Sequence, residues 1–178
     1  ESVYKSPVPF FLILPSNSFW CANVPLCHKS PHHNLHPVLF SDLFQLESLI
    51  LSGNQLSTIP DDAFSSLTLL SHLMLDSNRL VTQIQPKVFA NAINLKVLDL
   101  SHNNLHDISS TLTSLSGGSL QSLSISHNFV SNLKSVKLSS LWRLQASNNA
   151  LSNITSSTFG EYPSLQVLDL SNNQITYI

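Results

Sequence analysis

The sequence contains little charge and little cysteine. Only 10% of its 178 residues are Asp, Glu, Lys or Arg, and the formal net charge is -2. A nucleic-acid-binding surface needs a basic stripe, so this charge balance argues against a nucleic-acid partner. Two cysteines are too few for a scaffold built on disulfides. Hydrophobic residues make up 42% of the chain, which excludes a disordered tail and indicates a packed core.

Long apolar runs are also missing, and a membrane-spanning helix needs about 20 apolar residues. The apolar run Val8–Leu14 follows Lys5 and has two interpretations. It is either the core of a secretory signal or an irregular segment that caps or precedes the fold. The chain begins at Glu1 rather than at methionine and ends at Ile178 inside a repeat, so we expect a piece of a longer protein.

What the sequence does contain is an internal repeat. The pattern Leu-x-x-Leu-x-Leu-x-x-Asn-x-Leu occurs six times at intervals of 21 to 25 residues, with Ile, Val or Ala at a few leucine positions. The first residues of the six copies are Leu46, Leu70, Leu95, Leu120, Leu141 and Leu165. A phenylalanine precedes four of these leucines by six residues: Phe40, Phe64, Phe89 and Phe159. Residues 35–45 therefore match the back half of an earlier repeat.

These residues resemble the leucine-rich repeat family, in particular its extracellular "typical" subtype. The resemblance rests on the repeat length, the Ile59-Pro60 step and the phenylalanine near the end of a repeat. This subtype occurs in Toll-like receptors, Slit-type guidance proteins and matrix proteoglycans. The resemblance implies an α/β solenoid, a horseshoe with a parallel concave β-sheet and an irregular convex side. We expect the solenoid to cover residues 35–178, truncated at its C-terminus, after an irregular segment at 1–34 that is a signal remnant or a partial cap.

Six asparagines follow the predicted strands, where the chain turns inward. A buried amide is costly unless it is hydrogen-bonded, and Asn carries two donors and an acceptor on a short arm. We therefore predict a structural ladder rather than ligand contacts, formed by Asn54, Asn78, Asn103, Asn128, Asn149 and Asn173.

The phenylalanine pattern fails in the middle of the chain, and Ala146 underfills its leucine column. We predict altered curvature or a looser core between Thr111 and Ser147.

The resemblance places ligand binding on the concave sheet, and the period of two in each repeat identifies the outward residues. Ile50 and Met74 are apolar there, while Trp142 and Arg143 are residue types enriched at interface hot spots. The structural alternatives are that Ile50 and Met74 cover the first strands under an N-terminal segment, and that Trp142 packs at the sheet edge. The candidate binding residues are Ile50, His72, Met74, Asp76, Asp99, Trp142, Arg143, Gln145 and Asp169. The outward positions also include Ser48, Ser101, Ser126 and Ser147.

Histidines and cysteines provide two further candidates. His102 and His127 occupy equivalent positions in adjacent repeats, so they should stack, either as ordinary turn residues or as a pH-sensitive pair. Near the N-terminus, Cys21 and Cys27 lie close in sequence to four histidines: His28, His32, His33 and His36. A disulfide, free thiols and a zinc site all stay open for this cluster, although the spacing matches no common zinc motif. We predict neither a bound metal nor a cofactor.

The remaining motifs favour binding over catalysis. Asn153-Ile154-Thr155 is an N-glycosylation sequon, which favours a secreted context. Neither a catalytic triad nor a phosphate loop is present in the sequence, so we predict that the chain is not an enzyme. We expect a module that binds a protein ligand or co-receptor, as part of an extracellular or cell-surface receptor, adhesion or matrix protein. The alternatives are a cytoplasmic scaffold or regulator, and the docking part of a larger enzyme.

Overall fold

The protein is a solenoid built around one parallel β-sheet. The computed structural model describes residues 10–13, 35, 37–81, 84–133, 136–155 and 157–176. Seven parallel strands pair in chain order. They are β1 (Phe10–Ile13), β2 (Leu46–Ile50), β3 (His72–Met74), β4 (Val97–Asp99), β5 (Ser122–Ser124), β6 (Arg143–Gln145) and β7 (Val167–Asp169). The repeats predicted this solenoid and its parallel sheet. We call the surface of the sheet that points away from the buried leucines the concave face.

Equivalent residues of successive repeats stand opposite each other in the sheet. Leu73 on β3 pairs with Leu49 on β2 and Leu98 on β4, and all three side chains are fully buried. Burying a leucine stabilises the fold by roughly 1.5–3 kcal/mol. Because a single repeat cannot bury its own leucines, this stabilisation depends on the neighbouring repeats.

The first three of the four repeat phenylalanines form a buried stack. The ring centroids of Phe40 and Phe64 are 6.1 Å apart, and those of Phe64 and Phe89 are 6.4 Å apart. Phe159 is only half-buried, and its ring lies beside that of Tyr162, with the two centroids 6.1 Å apart. The stack is therefore a feature of the first repeats.

The convex side contains short helices. Two are 3-10 helices, Pro37–Phe40 and Pro86–Phe89, and one is an α-helix, α1 (Ser109–Leu115). Helix α1 buries Leu112 and Leu115 where the neighbouring repeat places a phenylalanine. No helix in the described part of the chain is long and apolar enough to cross a membrane.

The middle of the chain was expected to have altered curvature or a looser core, and burial shows no looser core there. Leu123, Leu138 and Leu144 are buried like Leu49 and Leu73 of the first repeats, and Ala146 is 0% exposed. The change in the middle of the solenoid is in the type of convex element rather than in burial.

Strand β1 lies within the segment that was expected to be irregular. It pairs with β2 so that Leu12 stands opposite Leu49. In the sequence, Leu12, Leu14 and Asn17 have the Leu-x-Leu-x-x-Asn spacing of the other repeats. A constant repeat length does not predict this copy, because 37 residues separate Leu12 from Leu49, whereas 24 separate Leu49 from Leu73. Aromatic and β-branched residues at 10–13 favour a strand.

Candidate binding surface

The concave face presents one central outward residue from each of the strands β2 to β7. Backbone pairing holds the strands in register, so these side chains form a single column across the sheet. The column runs Ile50, Met74, Asp99, Ser124, Gln145 and Asp169, and all of these side chains are partly exposed.

The N-terminal part of the column is apolar and is bordered by acid. Ile50 and Met74 stand opposite each other on β2 and β3, and Asp99 follows on β4. Asp76 lies two residues after Met74, on the same face of the chain. His72, at the other end of β3, is exposed. Five predicted binding residues therefore come together here.

Serine hydroxyls hold both carboxylates in place. Ser52 Oγ donates to Asp76 Oδ1 at 2.5 Å, and Ser77 Oγ donates to Asp76 Oδ2 at 3.3 Å. The backbone N–H and Oγ of Ser101 both donate to Asp99 Oδ1, at 2.8 and 2.6 Å. These bonds orient the two carboxylates before any partner arrives.

The other four predicted binding residues lie on β6 and β7 or, in the case of Trp142, directly before β6. Trp142 is 37% exposed, and the neighbouring Arg143 is half-buried on β6. Gln145 stands opposite Asp169 in the sheet. β5, whose outward residues are Ser122 and Ser124, separates this group from the apolar part of the face.

Asp169 is held in the same way as Asp99. Ser171 donates to Asp169 Oδ1 from its Oγ at 2.7 Å and from its backbone N–H at 3.0 Å. The hydrogen bonds from Ser171 hold the pKa of the Asp169 carboxyl below its ordinary value. This carboxylate therefore stays ionised at neutral pH.

Four serines predicted to face outward are in fact buried: Ser48, Ser101, Ser126 and Ser147. Ser101 is held against Asp99, and Ser147 Oγ donates to Ser126 Oγ at 3.0 Å. Alternation along a strand sets the direction of a side chain, but a short hydroxyl below longer neighbours has little surface. These serines support the face and offer little contact area.

His102 and His127 stack as predicted, with ring centroids 4.1 Å apart and an interplanar angle of 11°. Both are exposed and have positive φ values of 52° and 56°, at the turn after the strand. They therefore lie beside the concave face rather than on it. His127 Nε2 lies 3.3 Å from Asn148 Nδ2.

A second ring pair on this turn side was not predicted. The rings of His106 and Phe129 stack with centroids 5.2 Å apart. His106 comes three residues after its repeat asparagine and Phe129 only one after its own, so aligning the repeats does not reveal the pair. In the part of the chain that the structure describes, no group of three or more His, Cys, Asp or Glu side chains is arranged to hold a metal ion.

The asparagines contact backbone groups and not the concave face. Asn78 Nδ2 donates to the carbonyl oxygens of Leu51 and Leu75, at 2.9 and 3.1 Å. Its Oδ1 accepts the N–H of Leu56 at 3.0 Å. The same pattern recurs at Asn103, Asn128, Asn149 and Asn173. Asn54, in the first full repeat, donates to the carbonyl of Leu51 at 2.8 Å.

The structure describes the glycosylation sequon but not the N-terminal cysteines. Asn153 is exposed, and Thr155 Oγ1 of the sequon lies 2.8 Å from Ser157 Oγ. Cys21, Cys27 and the four histidines near them lie outside the described residues.

Comparison with known proteins places this repeat solenoid in a family. Leucine-rich repeat family models match residues 23–80, 68–129 and 164–178, which is more than half of the chain. The chain belongs to the leucine-rich repeat family.

Relatives include extracellular proteins. The chain is 35% identical to human lumican over 133 residues, covering 73% of this chain and 38% of lumican. The match to a chain in a structure of the Drosophila Toll–Spatzle complex covers 82% of this chain and 21% of the matched chain, with 28% identity and a TM-score of 0.74. The match to a chain in the TLR13–ssRNA13 complex covers 82% of this chain and 24% of the matched chain, with 30% identity and a TM-score of 0.61. The chain thus spans less than half the length of each.

Proposed function

We propose that this chain is a protein-recognition module of an extracellular receptor, adhesion or matrix protein. One observation carries the proposal: the sheet presents a continuous row of oriented side chains on its concave face. The strand backbones pair with each other, and the asparagine amides are used between the repeats. A surface that is already ordered binds a partner without the cost of ordering it.

Trp142 and Arg143 form the anchor of this surface. Tryptophan and arginine are enriched among the residues that dominate binding energy at interfaces. Trp142 is exposed although it is a large aromatic residue, and Arg143 lies between Ser122 and Val167 in the sheet. We expect the indole to enter a pocket of the partner, with Arg143 supplying directional hydrogen bonds.

A protein partner fits this surface better than a nucleic acid. Toll is seen in complex with Spatzle, whereas TLR13 is seen with single-stranded RNA. The concave face here carries Asp76, Asp99 and Asp169, and the chain has a net charge of -2. Proteins bind phosphate backbones through positive charge, so we take the Toll–Spatzle complex rather than the TLR13–RNA complex as the model for the ligand of this chain.

Two observations support an extracellular location. The exposed Asn153 sequon can accept a glycan, and the Toll structure is described as a glycosylated form. Expression in a secretory host should yield a glycan on the wild type that is absent from Asn153→Gln. A folded, secreted chain with an unmodified Asn153 would weaken the assignment. Two reactive thiols in native material would favour the cytoplasmic scaffold instead.

Binding is tested with an array of purified secreted proteins and cell-surface ectodomains. We expect saturable binding of at least one of them, weakened at least tenfold by Trp142→Ala, a loss of about 1.4 kcal/mol. Glu161→Ala is the control, because Glu161 is exposed and lies outside the sheet. Equal binding by all variants would remove the concave face from the proposal. Saturable binding only to a parallel array of cytosolic proteins would favour the intracellular scaffold.

A further inference from the structure

We infer that the patch formed by Ile50, Met74, Asp76 and Asp99 is a docking site for a cationic side chain, arginine or lysine, of a partner protein. This inference rests on the proposed protein-recognition function and adds the chemistry of the group that is bound. It concerns a different part of the concave face from Trp142 and Arg143.

The apolar half of the patch is a pair of side chains on neighbouring strands. Ile50 and Met74 stand opposite each other, and both are partly exposed on the outer side of the sheet. From β4 onward the same column carries only polar residues. A partner that covers these two side chains removes apolar surface from water, which favours binding.

The charged half is two oriented carboxylates beside this pair. Asp99 stands opposite Met74, about 4.8 Å away at the usual spacing of strands. Both bonds from Ser101 go to Oδ1 of Asp99, which leaves Oδ2 open to a partner. Each carboxylate oxygen of Asp76 accepts one hydrogen bond and can accept another.

Neither carboxylate forms an ion pair with another described residue. The ion pair in that part of the chain joins Lys87 and Asp61, at 3.9 Å and outside the sheet. The patch therefore combines apolar surface with two carboxylates that are held in fixed positions and take part in no ion pair there. A purely apolar partner would strip water from both carboxylates without replacing its hydrogen bonds, and an acidic partner would be repelled.

A lysine or arginine side chain matches both halves. Its aliphatic stem packs on Ile50 and Met74, while its charged end reaches Asp76 and Asp99. Hydrogen bonds between a cationic donor and a carboxylate are about twice as strong as neutral ones. The exposed His72 borders the same patch.

Met74 offers a direct probe, because it is the only methionine in the chain. Labelling the methionine methyl group with carbon-13 gives one NMR signal at the centre of the patch. The probes are three capped tripeptides, Gly-X-Gly, in which X is arginine, norleucine or glutamate. We expect the arginine peptide to shift the signal saturably, about tenfold more tightly than norleucine, with no response to glutamate. Equal affinity for arginine and norleucine would overturn the inference.

Variants assign the effect to the two carboxylates. Asp76→Asn combined with Asp99→Asn keeps an acceptor oxygen for Ser52 and for Ser101, and it replaces the acceptor of the longer Ser77 bond with an amide group. The double variant removes both charges, so arginine should bind no better than norleucine. Asp62→Asn is the matched control, because Asp62 is exposed and lies outside the sheet. A loss of arginine binding in Asp62→Asn equal to that in the double variant would contradict the site.

Salt provides a test that needs no variant. In the wild-type chain, added salt should weaken the arginine peptide and leave the norleucine peptide unchanged, since screening acts on exposed charges. An arginine affinity independent of salt would count against the carboxylates. Ectodomain binding that leaves the Met74 signal unchanged would overturn this site and leave the proposed function standing. Arginine binding at the patch without binding of any ectodomain would overturn the proposed function and leave this site standing.

Discussion

The carboxamide oxygen of Asn103 accepts a hydrogen bond from the backbone N–H of Leu80, one repeat earlier, at 3.0 Å. The nitrogen of the same side chain donates to the carbonyl oxygens of Leu75 and Leu100, at 3.0 and 3.1 Å. One buried side chain therefore satisfies backbone groups in two repeats. Repeated along the chain, this arrangement satisfies backbone groups at each turn and links each repeat to the one before it.

Replacing Asn103 should therefore cost more than an ordinary polar substitution. Asn103→Ala leaves the N–H of Leu80 buried without its partner, at roughly 1–3 kcal/mol. The carbonyls of Leu75 and Leu100 each lose one donor and keep another, from Asn78 and Asn128. We expect the free energy of unfolding, measured in urea, to fall by about 2 kcal/mol. Asn104→Ala, at the exposed neighbour, should change it by less than about 0.5 kcal/mol. Similar losses for the two variants would contradict the ladder.

A core leucine and the exposed tryptophan should respond differently to truncation. Leu98 is fully buried, so Leu98→Ala should lower the free energy of unfolding by about 2–5 kcal/mol. Trp142 is partly exposed, and Trp142→Ala should leave the fold intact while weakening binding. Chemical denaturation followed by circular dichroism compares them. An equal loss of stability would show that Trp142 is a core residue.

Helix α1 contains a polar group that a substitution should improve. Thr111 is buried, and its Oγ1 has no hydrogen-bond partner among the described residues. Thr111→Val keeps the shape and removes the unpaired hydroxyl, so we expect the free energy of unfolding to rise by about 1 kcal/mol.

Thr113 is the matched control on the same helix, because its Oγ1 donates to the carbonyl of Ser109 at 2.8 Å. Thr113→Val loses that bond and should give no gain in urea denaturation. A Thr111→Val variant less stable than Thr113→Val would show that the hydroxyl of Thr111 is satisfied.

Burial of Tyr162 makes the fold sensitive to alkali. Burial raises the pKa of Tyr162 to about 12, from 10.0 in water. The folded state favours the neutral phenol, so its contribution to stability is complete below pH 10 and is lost as the pH rises towards 12. The difference in tyrosinate absorbance between the wild type and Tyr162→Phe isolates this group. Ionisation of Tyr162 near pH 10 in the folded chain would contradict its burial.

Much of the architecture could be predicted from spacing alone. In a solenoid each repeat contacts its neighbours, so residues one period apart in the sequence become neighbours in space. This relation predicts the Leu49–Leu73–Leu98 column and the stacking of His102 on His127. It also predicts which residues share the concave face.

Three features of the structure do not follow from the repeat length. β1 escapes a constant period because of the longer interval before β2. The pair of His106 and Phe129 joins different positions of two repeats. The burial of Ser101 reflects its hydrogen bond to Asp99, and alternation along a strand cannot show it.

The most direct test of recognition through the concave face is hydroxyl-radical footprinting of this chain with and without its partner ectodomain. Met74 on β3 and Trp142 directly before β6 have readily oxidised side chains, whereas Phe129, 50% exposed, lies on the turn side. We predict that the partner protects Met74 and Trp142 from oxidation and leaves Phe129 unchanged. Protection of Phe129, with Met74 and Trp142 oxidised as in the free chain, would contradict the account.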